Sequence, residues 1–210
     1  MNRGKIIVVE GPSNSGKTTT CQNMKNYNNC IVIDECMVYE KNPPEPSQNY
    51  QQEIKNQLFF FEVERRRMNK ATKFALSGKN VILDRCALST VAISYAFEKL
   101  GKYPTFRHAM NQYEKLFNDE KLLKPDEYIF LYANNDSIIQ ASQRNKTRED
   151  ELSKSWLDSL FTEYQNEFYE TISRKIPNSR RISTVGKDKM YVSRIIAQIL
   201  KVQELPDRNL

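Results

Sequence analysis

At 210 residues, with 39% hydrophobic and 28% charged side chains, the chain carries enough apolar material for a packed core and is not polar enough to stay disordered. Thirty-two Lys and Arg against 26 Asp and Glu leave a net charge of +6, which suits a polyanionic small molecule as well as nucleic acid, and no block of like charges marks a nucleic-acid tail. The four cysteines, Cys21, Cys30, Cys36 and Cys86, form no C-x-x-C pair, and His108 is the single histidine, which speaks against a Cys/His zinc site. No signal-peptide core or membrane-length apolar run occurs, so a cytoplasmic protein with free thiols is expected.

Residues 5–9 form a continuous apolar run of the kind found in strands buried on both faces of a parallel sheet. The strand leads into Gly11-Pro12-Ser13-Asn14-Ser15-Gly16-Lys17-Thr18, a match to G-x-x-x-x-G-K-[ST] ahead of a helix predicted over 18–27. The two glycines let successive backbone N–H groups converge on an oligophosphate, and Lys17 adds positive charge. The Thr18 hydroxyl can ligate a hard Mg²⁺ ion, and the helix presents its positive end to the same phosphates.

A second strand is predicted at Cys30–Ile33, with Asp34 and Glu35 following it at the ligand edge of the sheet. The proline-rich stretch 41–47 can only be a loop, one able to close over a substrate. Ile54, Leu58, Phe61, Met68 and Leu76 recur at helical spacing, which predicts a long helix over 49–77 stopped by Gly78 and assigns those residues to its core face. Plain core packing is the expectation for Phe59 and Phe60. The Arg65-Arg66-Arg67 cluster inside this helix reads as a solvated face for at least two of the three arginines. A third strand is expected at Asn80–Asp84, a helix from Arg85 to near Gly101, further helix over 105–123, and a fourth strand at Glu127–Tyr132.

A short helix is predicted at 137–143, and the stretch from Arg144 to about residue 152 is too polar to pack and reads as a mobile lid. Trp156, Leu160, Tyr164, Phe168 and Ile172 step by four through a long amphipathic helix. A fifth strand at 181–185, a turn at 186–188 and a last helix at 190–200 complete the pattern, with 202–210 expected to fray. Strands alternating with helices throughout imply one α/β domain over 1–210. Its five-stranded parallel sheet would be flanked by helices and bind ligands at the strand carboxyl ends.

A phosphate loop is shared by switches, motors, transporters and kinases, so neighbouring residues must decide between them. Asn145-Lys146-Thr147 is followed by Arg148 where a GTP switch needs Asp, and Ala75-Leu76-Ser77-Gly78 matches a transporter signature only in part. The layout resembles instead the thymidylate kinase and deoxynucleoside kinase superfamily of P-loop kinases over most of the chain. The resemblance rests on Val9-Glu10-Gly11-Pro12 through Thr19, on Phe61 to Arg65, on Asp84-Arg85-Cys86-Ala87-Leu88-Ser89, and on Arg144 and Arg148 at the places of lid arginines.

This resemblance implies an ATP- and Mg²⁺-dependent phosphotransferase with a small nucleoside or nucleotide acceptor and room for a homodimer; neither nucleic acid nor membrane is expected as a partner. It implies that residues 11–19 and Arg144 hold ATP and that Thr18 and Asp84 serve the metal. Lys17, Arg85 and Arg148 would stabilise the transferred charge, and Phe61 and Arg65 would meet the acceptor's base and its edge or sugar. Gly186 and Lys187 are positioned to border the adenine. Ser13 stands where thymidylate kinases carry Asp, which removes their usual sugar contact, while Glu35 stands where deoxynucleoside kinases place the base that takes the hydroxyl proton. The motifs at 61–65 and 84–89 favour a nucleoside monophosphate acceptor, with Ser13 against thymidylate itself; a nucleoside acceptor with Glu35 as base is the alternative. The remaining alternatives are a kinase of another small hydroxyl compound or nucleic-acid end, and an NTP-binding regulatory module.

Overall fold

The computed structural model describes residues 3–118, 122–133 and 159–205. Strands β1 (Ile6–Glu10), β2 (Cys30–Ile33), β3 (Asn80–Asp84), β4 (Glu127–Tyr132) and β5 (Ser179–Ser183) form one sheet in the order β2-β3-β1-β4-β5. All four pairings are parallel. β1 lies at the centre, with β3 on one side and β4 on the other, and every one of its residues is buried, which is why Ile6 to Val9 are a continuous apolar run rather than an alternating one.

Alternate residues of β1 feed two cores. Ile6 and Val8 pack with Val81, Leu83 and Phe130 under α3 (Tyr50–Leu76), α4 (Ala87–Lys99), α5 (Phe106–Phe117) and α6 (Ser159–Ser173). Ile7 and Val9 pack with Ile82, Ile129 and Leu131 against α1 (Lys17–Met24) and α7 (Tyr191–Leu200). The short helix α2 (Cys36–Tyr39) follows β2. No described helix is long and apolar enough to cross a membrane.

Several sequence-based boundaries shift for identifiable reasons. The fourth helix begins at Ala87 instead of Arg85, because Arg85 is left-handed (φ 63) and Cys86 caps the helix by accepting from Leu88 N. Helix α5 ends at Phe117, and Leu123 is tied instead to α3, its N–H donating to Thr72 Oγ1 at 3.0 Å. β5 begins at Ser179, because its register is fixed by pairing with Tyr128 of β4, while its own sequence offers a single buried apolar residue, Ile182. The start of the tail is paired, not frayed: Leu205 N donates to Asn26 O at 2.7 Å and Glu204 bridges to Tyr27. The predicted 137–143 helix, the 144–152 lid and Trp156 lie outside the described residues.

The face of α3 also differs from the apolar periodicity. Leu58 and Leu76 are exposed, while Phe61, Val63, Met68, Ala71 and Ala75 enter the core. The helix is capped by Asn49, whose side chain accepts from Gln52 N at 2.9 Å. Because Met68 is 1% and Leu58 46% exposed, Met68→Ala should lower the urea-derived unfolding free energy by about 2–5 kcal/mol, and Leu58→Ala by no more than about 0.5.

Candidate active site

The parallel order brings the carboxyl ends of β1, β2 and β3 side by side, and a cavity of about 690 Å³ opens there. Its walls come from the loop after β1 (Ser13, Asn14, Gly16), from Lys17, Thr18 and Thr19 of α1, from Glu35 and Cys36 after β2, and from Arg85 after β3. One face of α3, part of α4 and the 44–47 loop close the rest.

The loop 11–16 is wound as its sequence requires. Gly11 has φ 140, and a Cβ there would stand 2.3 Å from Leu131 O; Asn14 and Gly16 are left-handed as well. Ser15 N donates to Pro12 O, closing the turn, and Lys17 folds back over the loop to donate to Pro12 O and, at 3.4 Å, to Ser15 Oγ. Burial pushes the Lys17 ammonium down to about 7, and the nearby Arg85 charge acts in the same direction against the pull of Asp84, Glu10 and Glu35. A buried cation of this kind, at the start of a helix and amid inward-turned backbone, is a site for an anion.

Asp84 is 1% exposed and receives a hydrogen bond from the Thr18 hydroxyl, yet its Oδ1 has no partner. Burial holds its carboxyl above the ordinary carboxylate range, opposed by Thr18, Lys17 and Arg85. An orphaned hard oxygen beside a threonine hydroxyl fits an oxygen-seeking divalent cation such as Mg²⁺.

Arg85 extends across the cavity floor. Its Nε donates to Glu35 Oε2 at 2.9 Å, and its Nη1 donates to Ser89 Oγ at 3.2 Å and Gly11 O at 3.3 Å. Its left-handed backbone costs about 1–3 kcal/mol and persists only because neighbours over-determine it. Arg67, wholly buried, donates to the carbonyls of Asp84 (2.7 Å) and Arg85 (3.3 Å) and is itself paired with Glu64. On the other side, Cys86 N donates to Glu10 Oε1 at 2.7 Å.

The structure gathers most of the sequence-predicted site and separates part of it. Ser13, Asn14, Gly16, Lys17, Thr18, Thr19, Glu35 and Arg85 line one cavity, with Gly11, Pro12, Ser15 and Asp84 buried directly behind them. Phe61 is a core residue and Arg65 an exposed one, its guanidinium paired with Glu62 one turn away, so neither reaches the cavity. The neighbouring Phe60 and Glu64 line it instead, a one-residue rotation around the helix. Phe60 therefore departs from the expected plain core packing, while Arg65 and Arg66 are exposed as expected and Arg67 is not. Gly186 and Lys187 sit in the turn after β5, outside the lining, and Arg144 and Arg148 lie outside the described residues. His108 is structural, half-buried against Gln57 Oε1 at 2.8 Å, with burial lowering its pKa.

Glu10, Arg67, Gln57 and Ser89 have no site role assigned from the sequence, although Glu10 and Ser89 fall inside its motifs. A signal for the α3 face exists: Glu53, Gln57, Phe60, Glu64 and Arg67 recur every three or four residues, a mostly polar stripe on a helix otherwise taken to face inward through its apolar residues.

A deoxynucleoside kinase family model matches residues 7–199. In fold the chain is similar to a thymidylate kinase from Candida albicans (TM-score 0.69, 18% identity, 97% of this chain and 99% of that one). It is also similar to a deoxyadenosine kinase from M. mycoides with bound dATP (TM-score 0.67, 15% identity, 93% of this chain and 99% of that one). No curated protein matches in a direct sequence comparison. The family match spans all five strands and the cavity they build. The chain thus belongs to the deoxynucleoside kinase family and is a nucleoside or nucleotide kinase, with ATP as the phosphoryl donor that the family implies.

Proposed function

We propose that the protein transfers the γ-phosphoryl group of ATP to the hydroxyl of a nucleoside, with Glu35 receiving the hydroxyl proton. The observation that carries this reading is the placement of Glu35 inside the cavity, 2.9 Å from the Arg85 guanidinium. A hydroxyl is a poor nucleophile until a carboxylate orients it and takes its proton, and Arg85 holds that carboxylate toward the site of transfer. As the new oxygen–phosphorus bond forms, the bond to the β-phosphate oxygen breaks and ADP leaves. Lys17 and the loop 11–16 hold the β and γ phosphates, and Arg85 reaches the migrating group with Nη2, the guanidinium nitrogen not bonded to Glu35, Ser89 or Gly11. Thr18 and Asp84 would hold Mg²⁺, which when bound neutralises charge on the β and γ phosphate oxygens. Arg148 would add positive charge to the same group and Arg144 would contact the adenine, as the family resemblance implies.

The electrostatics of the acceptor end support a neutral substrate. Glu45 and Glu53 line the cavity without a cationic partner among the described residues, and a dianionic acceptor would be repelled by them. Phe60 offers an aromatic surface on which a base can pack. A nucleoside monophosphate acceptor is the second reading, favoured by Lys102, which with Lys17 and Arg85 makes three lining cations. It loses the support of Phe61 and Arg65, which stand away from the cavity.

A coupled ADP-release screen across nucleosides and monophosphates tests the reading, and release that depends on monophosphates alone would overturn it. With the best nucleoside, Glu35→Gln should lower kcat by ~10²- to 10⁴-fold while acceptor binding changes much less. With a monophosphate acceptor no base is needed, so a mild Glu35→Gln beside a severe Arg85→Ala would support the second reading. Lys17→Ala should lower kcat by at least ~100-fold in a folded protein. Because the free Lys17 is held down to about 7, binding of a non-hydrolysable ATP analogue near pH 8 should draw a proton onto it. Calorimetry in buffers of different ionisation enthalpy would measure that uptake, and Lys17→Met should remove it.

A further inference from the structure

Glu10 is the last residue of β1, completely buried and not itself part of the cavity lining. An interior carboxylate is tolerated only when its oxygens are saturated with donors, and here they are. Oε1 accepts from Cys86 N at 2.7 Å. Oε2 accepts from Ser89 Oγ at 2.9 Å, from Tyr169 OH of α6 at 3.1 Å and from Gly11 N at 3.4 Å.

The partners of those two oxygens have one thing in common. Cys86 N belongs to the peptide that follows left-handed Arg85, so Oε1 fixes the backbone that carries the arginine. Ser89 Oγ, held by Oε2, is the atom to which Arg85 Nη1 donates at 3.2 Å, so Oε2 fixes the direction of the guanidinium. Tyr169 reaches Oε2 from the far side and stands 3.4 Å from Ser89 Oγ, which holds the carboxylate and the serine in register. Glu10 carries negative charge into the neighbourhood of Arg85 without touching its guanidinium, so it can balance the arginine without occupying a further nitrogen beyond those bonded to Glu35, Ser89 and Gly11.

We propose that Glu10 is a positioning residue for phosphoryl transfer, acting on Arg85 through the Cys86 peptide and through Ser89, with Tyr169 holding it in place. The inference rests on the reading of Arg85 as the group that grips the migrating phosphoryl. Transfer is sensitive to such placement, since a displacement of about 1 Å in a charge-stabilising group can reduce a rate by ~10²-fold.

The test is a double-mutant cycle on the full chain. Ser89→Ala should lower kcat about tenfold with the ATP and acceptor KM values within about threefold of wild type, and Ser89→Thr, which keeps the hydroxyl, should restore most of the rate. In an Arg85→Ala background, Ser89→Ala should change the remaining rate less than about twofold, because the group it positions is gone. Glu10→Gln should lower kcat more than Ser89→Ala, and Tyr169→Phe less. Should Glu10→Gln fail to fold, the serine pair still decides the matter. Equal losses from Ser89→Ala in both backgrounds, or no rescue by threonine, would overturn the positioning role. An Arg85→Ala protein with near-normal transfer would overturn the underlying reading of Arg85 instead, so the two failures are distinguishable.

Discussion

Three carboxylates and two cations, Glu10, Glu35, Asp84, Lys17 and Arg85, interact at the end of the central strand, with Glu10, Asp84 and Lys17 buried and Glu35 and Arg85 partly exposed to the cavity. Placing any of the three buried groups there alone would cost several kcal/mol, because the low-dielectric interior penalises an unpaired charge. The set is tolerable only as a set, and its assembly depends on strand order. β2 must lie beside β3 for Glu35 to meet Arg85, and β1 must lie beside β3 for Glu10 to reach the Cys86 peptide. The Lys17 ammonium remains imperfectly compensated, as its lowered pKa records, and that residual demand for negative charge is what an oligophosphate would supply.

Helix α3 joins the core to the cavity. Its 27 residues extend roughly 40 Å, long enough for the N-terminal half to wall the cavity while the C-terminal half packs on the sheet. The Glu64–Arg67 pair lies where the two functions meet. Glu64 lines the cavity, and Arg67 reaches inward to the carbonyls of Asp84 and Arg85. Sulfur enters the same cluster, since Cys36 Sγ donates to Glu64 Oε1 at 2.6 Å, and the Cys36 thiol is pushed up chiefly by burial. The backbone after β3 is therefore held from two sides, by Arg67 from α3 and by Glu10 from β1. That accounts for a non-glycine residue in a left-handed conformation at position 85.

The sequence by itself determined the sheet, because each central strand is an uninterrupted apolar run between turn signals and each crossover carries helical periodicity. β2, β3 and β4 fall at their sequence-derived bounds for that reason. It also determined the phosphate loop, since Gly11 and Gly16 occupy positions where a side chain would be strained or would strike the backbone of β4, a requirement that appears as residue identity. Glu35 and Arg85 were legible because they follow strands at the ligand edge of a parallel sheet.

Only the tertiary structure decided which face of α3 meets the cavity. Apolar periodicity marks what a helix can bury but not which neighbour it buries against, and here the stripe at Glu53, Gln57, Phe60 and Glu64 faces the cavity while Leu58 and Leu76 point outward. A turn of one residue, about 100° around the helix, exchanges Phe61 and Arg65 for Phe60 and Glu64, and no local propensity distinguishes the two. Glu10 was hidden for a related reason: a carboxylate at a strand end reads as a surface charge until its donors, drawn from Cys86, Ser89 and Tyr169, are brought around it by contacts 76 to 159 residues apart in the chain.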